Sequence, residues 1–208
     1  MITKERKYHH GDLKNALVAA GIEILEDSGL GGLSLRAIAA RVGVSHTAPK
    51  NHFGSLKGLL TAIGTEGFRR HAAAMRDGIS DTSPGPERLR AAMTGYLGFA
   101  AAHPALFELM FSKLYCDFDD ETLRMEASRS YDVLRDISTE LDWDKADAPD
   151  GQLRTEMMLW SMVHGYAMLR QNDQFREGSD GKVPSIPGTI EDASVLDVLK
   201  DTLAHTQH

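Results

Sequence analysis

Between Leu33 and Phe53 the chain reads Leu-Ser-Leu-Arg-Ala-Ile-Ala-Ala-Arg-Val-Gly-Val-Ser-His-Thr-Ala-Pro-Lys-Asn-His-Phe, and His46, Thr47, Lys50 and Asn51 are hydrogen-bonding side chains on the outer side of one short helical pattern. Such groups suit the edges of base pairs, because the major groove presents a distinct set of donors and acceptors for each pair. The chemistry is recognition, with no bond made or broken. Leu35, Ile38, Ala39, Val42 and Val44 form the inner side and Gly43 sits at the turn, so the segment is expected to be a helix-turn-helix. Ser34 and Ser45 are placed to cap its two helices. The second helix, from Ser45 to His52, should be about 10 Å long at roughly 1.5 Å per residue, against a groove about 12 Å wide. Pro49 would fall at its fourth position, where it removes at most the first intrahelical bond. An ordinary αα-corner shares this spacing without touching nucleic acid, and the segment alone leaves both readings open.

Covalent chemistry finds less support. The sequence holds no Gly-x-Gly-x-x-Gly, phosphate loop, nucleophile elbow or His-Glu-x-x-His, and Gly54-Ser55-Leu-Lys57-Gly58 has the wrong spacing for a serine loop. Asp117-Phe-Asp119-Asp120-Glu121 lacks the turn glycine and the final glutamate of a calcium loop. His9 and His10 are adjacent, and adjacent side chains on a helix diverge rather than share a metal. Neither enzyme activity nor a metal or cofactor is expected. The single cysteine, Cys116, excludes an internal disulfide and leaves the cytoplasm as the expected location. The polar stretch Met1 to Gly11 is no secretory signal, and the longest apolar run, Met157 to Leu169, is well short of the roughly 20 residues that span a bilayer. No membrane partner is expected.

The elements that position these residues follow from helical periodicity. Leu13, Ala16, Leu17, Ala20 and Ile24 form one stripe over residues 10–27, with Gly29 beyond as a left-handed cap; Ser34 precedes a helix that stops at Gly43; Ser55 caps a helix to about Asp77. Pro86 begins a helix ending at His103, and Pro104 opens a shorter one. Further helices are expected over 120–141, 152–172 and, behind a Thr189–Asp192 capping box, 189–206. The fold class is all-α with about nine helices. The Gly/Pro-rich stretches 78–86 and 178–188 mark a joint and a long loop.

Charge divides the chain unevenly. Residues 1–76 hold 11 Lys and Arg against six Asp and Glu, whereas the remainder holds 12 against 24, for a total of −7. A basic N-terminal part on an acidic body suits a protein that meets a polyanion with one face only, although chance asymmetry gives the same count.

The segments Tyr8-His-His-Gly-Asp-Leu-Lys-Asn-Ala-Leu17, Leu33-Ser-Leu-Arg36, Gly43-Val-Ser45, His52-Phe53 and Ser55-Leu-Lys-Gly-Leu-Leu60, in order and in register over residues 8–65, resemble the N-terminal domain of TetR/AcrR transcriptional regulators. Trp160-Ser-Met-Val-His-Gly165 is similar to the Trp-His-Gly (WHG) motif of one C-terminal domain type in that family. The resemblance implies a DNA-binding domain at 1–58, with its motif at about 33–53, and a ligand-binding and dimerisation domain at 59–208, joined by the helix at 55–77. It implies a homodimer that binds double-stranded operator DNA as a repressor and answers to a small apolar or amphipathic ligand. One position departs from the pattern: where the family commonly has tyrosine in Pro-Tyr-Arg-His-Phe, this chain has Lys50, which supplies charge without a ring.

On that footing Ser34, Arg36, Ser45, Lys50, His52 and Lys57 are candidates for phosphate contact, and His46, Thr47 and Asn51 for base edges. Capping for the two serines, packing on Phe53 for His52 and a solvated face for Arg36 are the alternatives. Met93, Tyr96, Phe107, Met110, Phe111, Tyr115, Trp160, His164 and Met168 are candidates to line the ligand cavity, since soft and aromatic groups adapt to apolar guests; core filling is the alternative for each. Gly165, Leu196, Leu199 and Leu203 are candidates for a dimer interface built by the last two long helices, with packing inside one chain as the alternative. A helical ligand-binding or interaction protein that does not bind DNA is the competing function.

Overall fold

The computed structural model describes residues 10–80, 82–139 and 150–171. Its elements are α1 (His10–Gly32), α2 (Leu35–Val42), α3 (Ala48–Phe53), α4 (Leu56–Arg76), α5 (Gly85–Ala102), α6 (Pro104–Phe111), α7 (Glu121–Ser138) and α8 (Gly151–Gln171). All eight are helices, and the fold is all-α. The helix expected at 189–206, with Leu196, Leu199 and Leu203, lies outside the described residues, as does the end of the one expected to reach 141. Among the described residues no helix is long and apolar enough to cross a membrane, and no three His, Cys, Asp or Glu side chains group as metal ligands.

Two compact units result. The first joins the residues up to Phe68 with Ala105–Ala127; the second joins Arg69–Pro104 with the chain from Ser128 onward. In the first unit the α1 stripe buries Leu17, Ala20, Ile24 and Leu25 with Leu33, Ile38 and Ala39 of the α2 region and Leu59 and Ile63 of α4. Each fully buried Leu or Ile contributes about 1.5–3 kcal/mol relative to exposure. Gly21 permits the convergence, because a Cβ there would lie 2.6 Å from Cδ1 of Ile63 and 3.5 Å from Cδ1 of Ile38. Phe107, Leu109 and Met110 of α6 are fully buried in the same unit. Cys116 fills the notch left by Gly64, and its thiol donates to the carbonyls of Leu109 and Leu60 at 3.4 and 3.6 Å; burial pushes it up to about 12. It is a packing residue there, protonated and unreactive.

The caps follow the sequence in three places and depart from it in two. Ser34 Oγ accepts the Ala37 N–H at 3.0 Å, Gly43 adopts the left-handed conformation (φ 75°, ψ 34°), and Ser55 Oγ accepts the Gly58 N–H at 3.1 Å. Ser45, expected to cap α3, instead shares a hydrogen bond with the Thr47 hydroxyl at 3.1 Å, and α3 begins at Ala48. Pro49 therefore stands at the second helical position rather than the fourth, where its missing N–H has no intrahelical partner to lose. At Gly29 φ is 66° with ψ −172°, an extended glycine conformation rather than a left-handed cap, and it interrupts α1 before a last turn to Gly32.

In the second unit α5 crosses the end of α4 almost backbone to backbone. A Cβ on Gly95 would stand 2.0 Å from the Ala74 carbonyl oxygen. Around this crossing Met75, Leu89, Met93, Leu97, Val133, Ile137, Leu159 and Val163 form the core. Gln171 Nε2 donates to the Ala100 carbonyl at 3.0 Å, fixing the end of α8 on α5.

Candidate DNA interface and ligand site

The outer surface of the first unit carries the nine residues assigned to DNA. Ser34, Arg36, Ser45, His46, Thr47, Lys50, Asn51 and Lys57 are exposed; His52 is half-buried beside Phe53, with ring centroids 6.2 Å apart. Within α3 the division is sharp. Pro49 is buried and Phe53 half-buried on the inner side, which leaves Lys50 and Asn51 outward, adjoining His46 and Thr47 of the preceding turn. Ser34 and Lys57 mark the first turns of α2 and α4, where unpaired backbone N–H groups favour an anion. Ser34 uses its oxygen for the cap, and Ser45 and Thr47 bond each other, so the cap alternative is realised for Ser34 alone.

Two supports of this surface are invisible in the local pattern. Arg41 bridges from α2 to Glu23 at 3.2 Å and Asp27 at 3.6 Å on α1, exposed pairs of about 0.2–1 kcal/mol that hold the two helices in register. Lys14 Nζ lies 5.9 Å from the centroid of Phe53, within cation–π range, at the end of α3. A helical repeat gives the face of each residue but not which residue of another helix it meets.

The residues assigned to a ligand divide between the units. Phe107 and Met110 are fully buried in the first unit, where Phe111 stacks edge-on against Phe68 (5.3 Å) and Phe107 (5.2 Å), and Tyr115 is half-buried in the turn after α6. Met93, Tyr96, Trp160, His164 and Met168 belong to the second unit. There the Tyr96 hydroxyl lies 2.8 Å from His164 Nδ1, and the Trp160 side chain hydrogen-bonds the same hydroxyl. An indole N–H only donates, so the Tyr96 oxygen accepts from Trp160; its contact with Nδ1 runs from the hydroxyl or from Nδ1–H according to the His164 tautomer. Burial lowers His164 and raises Tyr96, keeping both neutral.

Sequence reading missed the rest of this polar seam. His71 of α4 is buried with Nδ1 2.7 Å from Ser130 Oγ, its ring edge-on to Tyr96 at 4.4 Å and Phe99 at 5.3 Å, and burial pulls it down to about 3. The Tyr131 hydroxyl donates to Glu156 Oε2, Gln152 Nε2 donates to Glu156 Oε1 at 2.8 Å, and the same Nε2 reaches Ser138 Oγ at 2.7 Å. Tyr131 is pushed up to about 12, first by desolvation and then by Glu156, so it stays a donor. The one legible signal is Glu156 itself, an acid four residues before Trp160 and directly before the apolar run Met157 to Leu169.

The profile of a family described as tetracyclin repressor-like, C-terminal domain, matches residues 89–184. Residues 89–184 are thus similar to the C-terminal domain of tetracyclin repressor-like regulators. A Bacillus subtilis protein described as the uncharacterized HTH-type transcriptional regulator YobS is 19% identical over 170 residues, 82% of this chain and 85% of that one. A solved Rhodococcus protein of unknown function is 28% identical with a TM-score of 0.76, covering 97% of this chain and 98% of its own. The TetR-like regulator LfrR of Mycobacterium smegmatis, solved in complex with proflavine, is 15% identical with a TM-score of 0.59, over 92% of this chain and 94% of its own; at that identity it shares the fold. Trp160 to Gly165 falls within the matched residues.

Proposed function

We propose that the chain is a repressor that binds a palindromic operator as a homodimer and releases it when a small ligand enters the second unit. Residues 1–58 then serve as the DNA-binding domain and 59–208 as the ligand-binding and dimerisation domain. The observation that supports this best is the outward set His46, Thr47, Lys50 and Asn51 on a helix pair clamped by its buried face and the Arg41 bridges. The mechanism is differential affinity: a ligand that favours the form with displaced recognition helices weakens DNA by the same coupling free energy that DNA imposes on the ligand. The proflavine complex of LfrR supports a small molecule as the effector class. No step requires a catalytic group, and the cytoplasm is the location that fits.

Selection of bound duplexes from a random pool tests the reading directly and yields the half-site spacing, which a dimer sets near one helical turn or a multiple of it. Failure to enrich any duplex overturns it. Lys50 gives a sharper prediction. As a phosphate contact in place of the family's tyrosine, Lys50→Ala should weaken all duplexes alike and lower the salt slope by about 0.9 per contact, roughly 2 per dimer. Fluorescence titrations at several salt concentrations measure this. A lost preference at one base pair with an unchanged slope would assign Lys50 to base reading instead.

The outer face of α8 supports the dimer. Met158 (55% exposed), Met162 (41%) and Leu169 (45%) lie on it, and a Cβ on Gly165 would meet nothing within 4 Å. Gly165 thus leaves room on this face for another backbone, at a helical cost of about 1 kcal/mol. Met158→Asp with Met162→Asp should give monomers by light scattering and abolish operator binding with helicity intact; a variant that remains dimeric would move the interface elsewhere.

A further inference from the structure

Along α8 the side chains of Gln152, Glu156, Trp160 and His164 recur every four residues, so they form one stripe, and each meets a partner from α7 or α5 of the same unit. Within that stripe Glu156 is anomalous. Its residue is only 4% exposed, yet the two groups that hold its oxygens, the Tyr131 hydroxyl and the Gln152 amide, are both neutral. A buried carboxylate is costly unless an opposite charge compensates it. No described lysine, arginine or histidine pairs with it: Arg135, whose charge reaches Tyr131, is engaged by Asp132 at 2.9 Å and Asp136 at 3.8 Å. His164 farther along the stripe is kept neutral by burial. With one donor on each oxygen, both oxygens retain a lone pair.

The surroundings are suited to a cation with an apolar body. The Tyr131 and Trp160 rings meet at 6.0 Å and 69°, the Trp160 and His164 rings at 6.4 Å and 68°. Tyr131, Trp160 and His164 are only half-buried, so the stripe has an edge open to solvent. Electron-rich ring faces attract cations and repel anions, and the net negative charge of residues 77–208 draws in the same sign.

We infer that the α8 stripe is the effector site and that its ligand is an organic cation, with Glu156 as counter-charge and Tyr131 and Trp160 as the aromatic wall. This rests on the ligand-responsive reading above and adds the chemical class.

Tetraphenylphosphonium and tetraphenylborate, ions of nearly one size and shape but opposite charge, separate charge from apolar fit. Titrated calorimetrically into the full chain, the phosphonium should bind at least tenfold more tightly than the borate. Glu156→Gln, which still accepts from Tyr131, should remove that preference, whereas Trp160→Leu should weaken both ions. Equal binding of the two ions by the wild-type chain, or a preference for the borate, overturns the inference even if Glu156→Gln fails to fold. So does phosphonium binding unchanged by a folded Glu156→Gln. Repeating the titration on the operator complex keeps the two readings apart: Glu156-dependent binding without DNA release supports the site and refutes the switch, while operator binding with no cation preference refutes the site and leaves the regulator intact.

Discussion

Gly58→Ala is expected to lower operator affinity at least tenfold, about 1.4 kcal/mol, and to cost about 1–3 kcal/mol of folding stability. A Cβ at this position would stand 2.1 Å from the Phe53 carbonyl oxygen and 3.2 Å from its carbon, and both are backbone atoms that cannot rotate away. The first turn of α4 cannot yield easily, since the Gly58 N–H is held by Ser55 Oγ and Leu59 N by the Ser55 carbonyl at 3.1 Å. The end of α3 must therefore move. Gly54, at φ 72° with its N–H on the Lys50 carbonyl at 2.8 Å, transmits the displacement to the turn that presents Lys50 and Asn51. Gly64→Ala is the control. Its Cβ would meet Cys116 Sγ at 2.7 Å, a side-chain atom away from α3, so it should cost stability with a much smaller loss of affinity. Urea unfolding and fluorescence anisotropy on the selected duplex give the two numbers for each variant. Wild-type affinity in a folded Gly58→Ala would show that the α3–α4 junction does not set the recognition geometry.

What the sequence made legible is what neighbouring residues decide. Ser34, Gly43 and Ser55 cap their helices because a cap is a contact within three residues, and the stripes through Leu17, Ile38 and Leu59 are periodic. A cap at Ser45 puts the start of α3 too early, since the Ser45 hydroxyl bonds Thr47 instead. Proline's preference for the first turn, applied at Pro49, moves the start to Ala48 without any tertiary information. Beyond such ranges the sequence is silent. His71 meets Ser130 across 59 residues and Tyr131 meets Glu156 across 25, and no periodicity encodes which face of α4 or α7 will be opposite. Composition likewise does not say that Phe107 and Met110 are both fully buried, nor that Gly64 and Gly67 let α6 approach at Met110.

On acidification from pH 7.5 to 5 the chain should lose about 2 kcal/mol of stability through His71 alone, from an ordinary value of 6.5 in the unfolded chain and about 3 in the fold. Burial is the main cause, with the charge of His164 second, and both disfavour the imidazolium. Above pH 6.5 neither state binds the proton and stability is flat. Between 6.5 and about 3 the unfolded chain takes up a proton that the folded chain refuses, so stability falls steadily with pH. His164, also lowered by burial, contributes with the same sign. Carboxylates titrate in the lower part of this window, which makes the difference between variants more decisive than the wild-type slope. His71→Gln should begin less stable at pH 7.5, having lost the ring contacts to Tyr96 and Phe99, but should lose about 2 kcal/mol less on going to pH 5. Urea midpoints at pH 7.5, 6 and 5 measure both slopes; parallel slopes would mean that His71 is protonated within the fold. Because His71 contacts Tyr96, and Tyr96 holds His164, the loss should be felt first in the second unit, with near-ultraviolet dichroism changing at higher pH than far-ultraviolet helicity.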